Sequence, residues 1–319
     1  MNKNGFTAYL EGKGLAQRTQ KEYLSSTELF FNWLGTCTGK EDLQVTKPDV
    51  LRYLEYLKNK GLQNISRRNK LTALNHYFTF LYQNELITAN PCLLLKIRGT
   101  NKKTLYKIYT PEELDVIFDN YYQLFVRGYD DSGKAWREHS KIMSKIARER
   151  NAMILSILIN QGITTREIKN IETGDLDLIK ATIKIRGGKR LNDRILPIKA
   201  SQIGLFMLYL QNIRPQLLKY QTNETDKLLL SLPSMKYETT DYDIGRGIFE
   251  LLTTQIKSID KQFINFQHVR ASVIAFWIKT QGLRKAQHMA GHRKIHTTER
   301  YVNNNFEDLA NDINKLHPF

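Results

Sequence analysis

Residues 265–301 read NFQHVRASVIAFWIKTQGLRKAQHMAGHRKIHTTERY, and this stretch decides how the C-terminal part of the chain is organised. Arg270 stands near its front, Gly291-His292 near its middle and Tyr301 at its end. Val273, Ile274, Phe276, Trp277 and Ile278 form an apolar, helix-like run that Gly282 stops. A second short helical run, 283–289, leads into Ala290-Gly291-His292. Tyr301 stands nine positions after His292, and Thr297 and Thr298 within that gap are each suited to N-cap a helix beginning near Glu299. Tyr301 is then expected in the first turn of that helix.

A guanidinium, an imidazole and a phenol brought together this way suit attack on a phosphodiester. The phenol is a nucleophile, the guanidinium makes bidentate contacts to phosphate oxygens, and the imidazole supplies a donor or acid–base function. Taken singly, each residue has an ordinary structural reading, as a hydrogen-bonded buried histidine or a core tyrosine near a helix start. His288 and His292 also stand four apart, as in a helical zinc pair. Met289 occupies the position where such a pair needs a carboxylate, and Gly291 opposes a continuous helix, so no metal site is assigned.

Working outward, the chain carries a net charge of +16 over 319 residues. The first hundred residues hold 14 basic and 8 acidic side chains and the rest 34 and 24, so both parts are positive. That distribution suits a clamp around a polyanion such as double-stranded DNA. No apolar run approaches a membrane span, and no Lys/Arg-rich amphipathic anchor marks a membrane partner. The stretch MNKNGFTAYLE has no secretory apolar core, and Cys37 and Cys92 have no disulfide or metal spacing. A cytoplasmic chain with reduced thiols is expected.

Residues 1–98 read as a helical domain. Phe6, Tyr9 and Leu10 open the first helical face; Tyr23, Leu24, Leu29, Phe30 and Trp33 form the second. Thr46-Lys47-Pro48-Asp49 is a capping box with proline in the first turn, followed by Val50, Tyr53, Leu54 and Leu57 at helical spacing. A fourth helix starts near Ser66 and buries Leu71, Leu74, Tyr77, Phe78 and Leu81. Arg67, Arg68 and Lys70 at its start are candidates for contacts to DNA phosphates or members of a solvated basic face. Residues 99–109 read as a linker, with Lys102 and Lys103 as further candidate phosphate contacts.

Residues 110–319 form the second domain. It opens on the capping box Thr110-Pro111-Glu112-Glu113, and helical pattern returns from about residue 141, after a loop at 129–139, to end at Gln161-Gly162. A β-hairpin is expected over 181–198, with its turn at Gly187-Gly188-Lys189-Arg190-Leu191-Asn192-Asp193. Helices follow at 200–219 and 241–258, with a short buried segment at Leu228-Leu229-Leu230. Beyond Tyr301, Phe306, Leu309, Ile313 and Leu316 make one apolar stripe that needs a partner surface.

Arg270, Gly291-His292 and the T-T-x-x-Y ending at Tyr301 together resemble the C-terminal box of the tyrosine recombinase (phage-type integrase) family. The resemblance implies a mainly α fold with a small antiparallel β-sheet: a helical N-terminal core-binding domain and an α+β catalytic domain. It implies breakage and rejoining of DNA through a 3′-phosphotyrosyl intermediate, with no cofactor or metal. It also implies self-association on DNA through the C-terminal helix. Tyr301 takes the place of the nucleophile, Arg270 and His292 of phosphate ligands, and Lys189 of the hairpin lysine that protonates the leaving 5′-oxygen. The family pattern His-x-x-Arg is offset: Gln267 stands three before Arg270 and His268 two before it, so both are candidates.

The family's first phosphate-binding arginine belongs to Gly-Leu-Arg-x-x-Glu-Leu. Here the run is Gly162-Ile163-Thr164-Thr165-Arg166-Glu167-Ile168, with Thr164 at the arginine position. Thr164-x-x-Glu167 is itself a capping box, and Arg166 lies about 200° round a helix from Thr164. Loss of one charge clamp costs roughly 3 kcal/mol of transition-state stabilisation. A DNA-binding protein of the same fold with impaired chemistry, acting as a regulator or accessory factor, is therefore the alternative reading, ahead of a metal-dependent nuclease.

Overall fold

The structure, a computed structural model, describes residues 1–38, 42–99, 107–130, 138–188, 191–232 and 246–302. The chain falls into two units, Met1–Thr104 and Leu105–Phe319, each with its own core. In the first unit the α-helices among the described residues are α1 (Lys3–Gly12), α2 (Gln17–Thr38), α3 (Lys47–Asn59) and α4 (Asn64–Gln83). The Thr46 box starts α3 as its chemistry requires: the Thr46 backbone N–H and hydroxyl both donate to the Asp49 carboxylate, at 2.9 and 2.7 Å.

Aromatic edges fill this core. Phe6 meets Tyr77 with 5.0 Å between ring centroids, and Phe30 meets Tyr53 at the same separation, both edge to face. Leu29 departs from expectation and is half exposed. The inward stripe of α2 is Thr27, Phe30 and Leu34, at i, i+3 and i+7, which leaves Leu29 off the buried face.

The second unit begins with α5 (Pro111–Tyr122), capped by Thr110: Glu113 N–H donates to Thr110 Oγ1 at 3.2 Å, and Thr110 N–H to the Glu113 carboxylate at 2.9 Å. A π turn (Gln123–Arg127) follows, then α6 (Glu138–Gln161), whose run from Ala152 to Ile159 is buried on all sides. The sheet is β1 (Leu176–Asp177), β2 (Thr182–Ile185) and β3 (Arg194–Pro197), antiparallel in that order. β2 and β3 are the expected hairpin, registered Thr182 to Pro197 and Ile185 to Arg194. β1, a two-residue strand, carries too little alternation to be read from sequence.

The helix expected over 200–219 is broken. α7 (Ala200–Leu208) passes through a π turn (Tyr209–Ile213) into α8 (Arg214–Leu218). Pro215 has no N–H to donate to the preceding turn, and the wider turn precedes it. α9 (Arg246–Ile259) occupies the described part of the helix expected at 241–258. Leu228, Leu229 and Leu230 are buried.

The last helices are α10 (Phe266–Gln281), α11 (Leu283–Ala290) and α12 (Ile295–Val302). α12 starts before the expected Glu299, so Thr297 and Thr298 lie inside it and Tyr301 beyond its first turn. Thr298 is fully buried with its hydroxyl engaged by His292, so it is not free to act as a cap. Cys37 is exposed and Cys92 buried, both unpaired as thiols. Among the described residues no helix is long and apolar enough to cross a membrane. The C-terminal stripe expected beyond Tyr301 lies outside the described residues.

Candidate active site

α10 aims Arg270 into the core of the second unit. The helix starts at Asn265, whose side chain accepts from the His268 N–H at 3.1 Å. One turn in, Arg270 is 3% exposed. Its Nη1 donates to the Gly162 carbonyl at 2.6 Å and its Nη2 to the Ala290 carbonyl at 2.8 Å. Gly162 has φ +52°, and a Cβ there would sit 2.8 Å from Val273 Cγ1. Only glycine lets the chain leaving α6 pass this close to α10. Burial lowers the Arg270 pKa from its ordinary value, opposed by Glu167 and by an electrostatic interaction with the Tyr301 phenol.

Gly291 turns the chain at the end of α11. It is left-handed, φ 73° and ψ 16°, and its N–H donates to the His288 carbonyl while that of His292 donates to Gln287. These bonds satisfy the open carbonyls of the helix end and carry His292 into the interior. The His292 ring is held at both nitrogens: Nε2 is 3.3 Å from Arg270 Nη2, and Nδ1 is 2.9 Å from Thr298 Oγ1. A guanidinium can only donate, so Nε2 is the acceptor and Nδ1 carries the hydrogen given to Thr298. Burial, and then the nearby Arg270 and Arg194 guanidinia, lower the His292 pKa to about 4. The imidazole is neutral at neutral pH.

Tyr301, on α12, lies parallel to His292, with 5.7 Å between ring centroids and 10° between planes. Its ring packs against the core of the unit while the residue stays partly exposed. Arg270, His292 and Tyr301 are thus brought together from α10, the α11 cap and α12.

Thr164 and Glu167 form the capping box that their spacing suggests. The Thr164 N–H and hydroxyl donate to Glu167 Oε2 at 2.8 and 2.9 Å, and the Glu167 N–H returns to Thr164 Oγ1 at 3.2 Å. Arg166 is exposed. Burial alone would raise the Glu167 pKa; the Arg194 and Arg270 guanidinia and the Thr164 amide outweigh it and hold the carboxyl below its usual value. Arg194 Nη1 lies 2.5 Å from Glu167 Oε1, and Arg270 Nη1 is 3.6 Å from Oε2. Arg194 was not among the residues singled out from sequence. The signal was present: Arg194 alternates with Leu196 on β3, and a strand that buries one buries the other.

The two candidates for the offset position separate. His268 is buried, its Nε2 bonded to the Lys107 carbonyl, its Nδ1 accepting from the Ile264 N–H at 3.4 Å and its ring against Tyr109 at 4.7 Å. It anchors the chain entering α5 and is not brought to the Arg270 cluster. Gln267 is exposed in the first turn of α10, one turn before Arg270. Lys189 lies outside the described residues. The residues flanking it are tied to the site: Arg293 Nη2 donates to the Gly188 carbonyl at 3.2 Å, and Leu191 bridges to His292.

In the first unit Arg67 is turned inward, with Nη2 donating to Asn64 Oδ1 at 2.6 Å and Nη1 to the Leu54 carbonyl at 3.4 Å. That ties α4 to α3. Arg68 is exposed and Lys70 partly so; Lys102 and Lys103 lie outside the described residues. His288 faces solvent whereas His292 is buried with both nitrogens engaged, so the two do not share a face.

Residues 137–308 match the family model described as the Phage integrase family, and residues 4–85 match that of the phage integrase N-terminal SAM-like domain. The chain is 22% identical to the tyrosine recombinase XerC of Pelotomaculum thermopropionicum, over 99% of this chain and 97% of that one. Its fold is similar to that of the XerH site-specific recombinase bound to a palindromic difH substrate, with a TM-score of 0.69 at 17% identity, covering 92% of this chain and 79% of that one. It is also similar to the Tn1549 transposon integrase in complex with circular intermediate DNA, with a TM-score of 0.64 at 14% identity and 98% of each chain covered.

Proposed function

The chain belongs to the phage integrase family, and from that premise we propose that it is a tyrosine-type site-specific DNA recombinase that cuts and rejoins double-stranded DNA through a phosphotyrosyl bond. The observation that carries this reading is the parallel stack of Tyr301 on His292, whose Nε2 meets the Arg270 guanidinium.

In the proposed step Tyr301 Oη attacks the scissile phosphorus and the bond to the 5′-oxygen breaks, leaving a 3′-phosphotyrosyl link and a free 5′-hydroxyl. As Arg270 turns its Nη2 donor from His292 Nε2 to the bound phosphate, the freed Nε2 of neutral His292 takes the phenol proton, and the resulting imidazolium donates to a non-bridging oxygen. Arg270 holds the other non-bridging oxygen. Lys189 gives the leaving 5′-oxygen its proton. Gln267, exposed beside Arg270, donates to the phosphate in place of a histidine; His268 supports the site from behind by fixing the entry to α5. The bond energy is kept in the phosphotyrosine, so a second 5′-hydroxyl reverses the step without an energy source.

Residues 1–98 are the proposed DNA-clamp domain, 99–109 the basic linker and 110–319 the catalytic domain. Arg68, Lys70, Lys102 and Lys103 neutralise backbone phosphates, while Arg67 positions α4. The C-terminal segment docks on a second copy on DNA. The chain works in the cytoplasm, on the nucleoid when bound.

The test begins by selecting a binding sequence from a random duplex library with the Tyr301→Phe chain. A nicked duplex of that sequence is then incubated with wild-type protein and run on a denaturing gel. A covalent protein–DNA band, insensitive to chelator, is expected. Retention of the duplex with no such band would instead identify a DNA-binding module, and chelator-sensitive cutting a nuclease.

A further inference from the structure

The second unit buries an arginine that the mechanism above does not use. Arg194 alternates with Leu196 on the inner side of β3, and its side chain is 0% exposed. A guanidinium is costly to bury unless its donors are met and its charge is balanced. Nε donates to the Met289 carbonyl at 2.7 Å and Nη1 reaches Glu167 at 2.5 Å, but Nη2 is buried with no partner among the described residues. The backbone makes room for the group: a Cβ on Gly291 would stand 2.7 Å from Arg194 Nη1. Arg194 also acts electrostatically on both Arg270 and His292.

The placement bears on the missing charge at Thr164. Glu167 is the carboxylate beside Arg270, and alone it would cancel the charge that Arg270 offers a phosphate. Its Oε1 is instead taken by Arg194, and its Oε2 by the Thr164 N–H and hydroxyl, with Arg270 farther off at 3.6 Å. Two guanidinia against one carboxylate leave a single net positive charge in a site sheltered from water. Arg270 spends donors on two carbonyls, on His292 and on the Tyr301 phenol, and among the described residues no carboxylate lies closer to it than the 3.6 Å of Glu167 Oε2.

We propose that Arg194 is a positioning residue for the phosphate site: by taking the Glu167 carboxylate it leaves the Arg270 charge uncancelled, and so supplies from β3 the second positive charge that Thr164 withholds. The proposal rests on the recombinase reading and deepens it.

The test is a charge cycle on the full chain: wild type, Arg194→Gln, Glu167→Gln and the double variant. Each is assayed for covalent adduct on the selected nicked duplex, once with an ordinary scissile phosphate and once with an uncharged methylphosphonate there. Loss of Arg194 alone is expected to slow adduct formation about 100-fold on the ordinary duplex, the scale of a lost electrostatic donor. The double variant restores the net charge and is expected to recover to within about tenfold of wild type. It also removes the carboxylate that loses its Arg194 partner, so it is less destabilised than the single variant, and urea unfolding of both separates a loss of stability from a loss of rate. On the methylphosphonate the Arg194→Gln deficit should shrink at least about tenfold, because less negative charge develops there.

A purely structural Arg194 gives the opposite pattern: a folded double variant as slow as the single one, and the same deficit on both duplexes. That result overturns the proposal, as does an Arg194→Gln chain within about twofold of wild type, a difference well under 1 kcal/mol. Absence of adduct from the wild-type chain overturns the recombinase reading, and this inference with it. Normal wild-type adduct with an unaffected Arg194→Gln overturns this inference alone.

Discussion

His292 and Tyr301 lie ring on ring, 10° from parallel, while the two nitrogens of His292 are held by Arg270 and Thr298. The histidine ring therefore cannot swing away without breaking contacts to two helices, α10 and α12. It is kept neutral by burial and by the neighbouring guanidinia, which lower its pKa from 6.5 to about 4.

A depressed histidine pKa has a definite consequence for stability. Between pH 4 and 6.5 the unfolded chain binds a proton at this position that the folded chain refuses. The contribution is fully present above the unfolded pKa and is lost as the pH falls towards 4, to an extent of roughly 3 kcal/mol. Urea unfolding followed across this window should show stability rising with pH, with a shallower slope in His292→Gln. An unchanged slope in the variant would place the titration elsewhere.

Gly291→Ala should destabilise the second unit. An alanine must hold φ near 73° and place its Cβ against a guanidinium pinned by Glu167 and Met289. The combined strain is about 1–3 kcal/mol, measured as a shift in urea midpoint, and adduct formation should slow with it because His292 is the next residue. A variant as stable and as fast as wild type would mean that the chain does not pass this close to Arg194.

Lys189 gives a chemical test of its proposed role. A sulfur leaving group needs no general acid, since a thiolate is far more stable than an alkoxide at neutral pH. Lys189→Ala should lose at least about 100-fold in adduct formation on ordinary DNA, and recover on a duplex carrying sulfur at the bridging 5′ position. Equal loss on both duplexes would assign the proton to another group.

The parts of this molecule that were legible in sequence are those fixed by local chemistry. The boxes at Thr46 and Thr110 need only a hydroxyl, a proline and a carboxylate within four residues, and both form. The β2–β3 hairpin follows from alternation, and its inner face takes Ile183, Ile185 and Leu196. The cluster of Arg270, His292 and Tyr301 was legible through spacing and resemblance together.

What escaped depends on contacts made in three dimensions. Alternation puts Arg194 on the buried face of β3 with Leu196, but its partners there, Glu167 and the Met289 carbonyl, come from distant parts of the chain and meet it only in the fold. Thr298 looked like a cap because its true partner, His292 Nδ1, is recruited across a turn. Spacing could not separate Gln267 from His268; burial does, since one faces solvent and the other the Lys107 carbonyl. Arg67 resembled a phosphate contact, yet its guanidinium is spent on Asn64 and Leu54.

The central claim is that the Tyr301 oxygen becomes bonded to DNA. The direct measurement is to isolate the covalent adduct from the nicked duplex, digest it, and locate the nucleotide by mass spectrometry, with Tyr301→Phe run in parallel. The account predicts a nucleotide on Tyr301 in the wild type, and no adduct from the phenylalanine variant despite unchanged retention of the duplex. A nucleotide on any other residue, or an adduct that survives Tyr301→Phe, contradicts it.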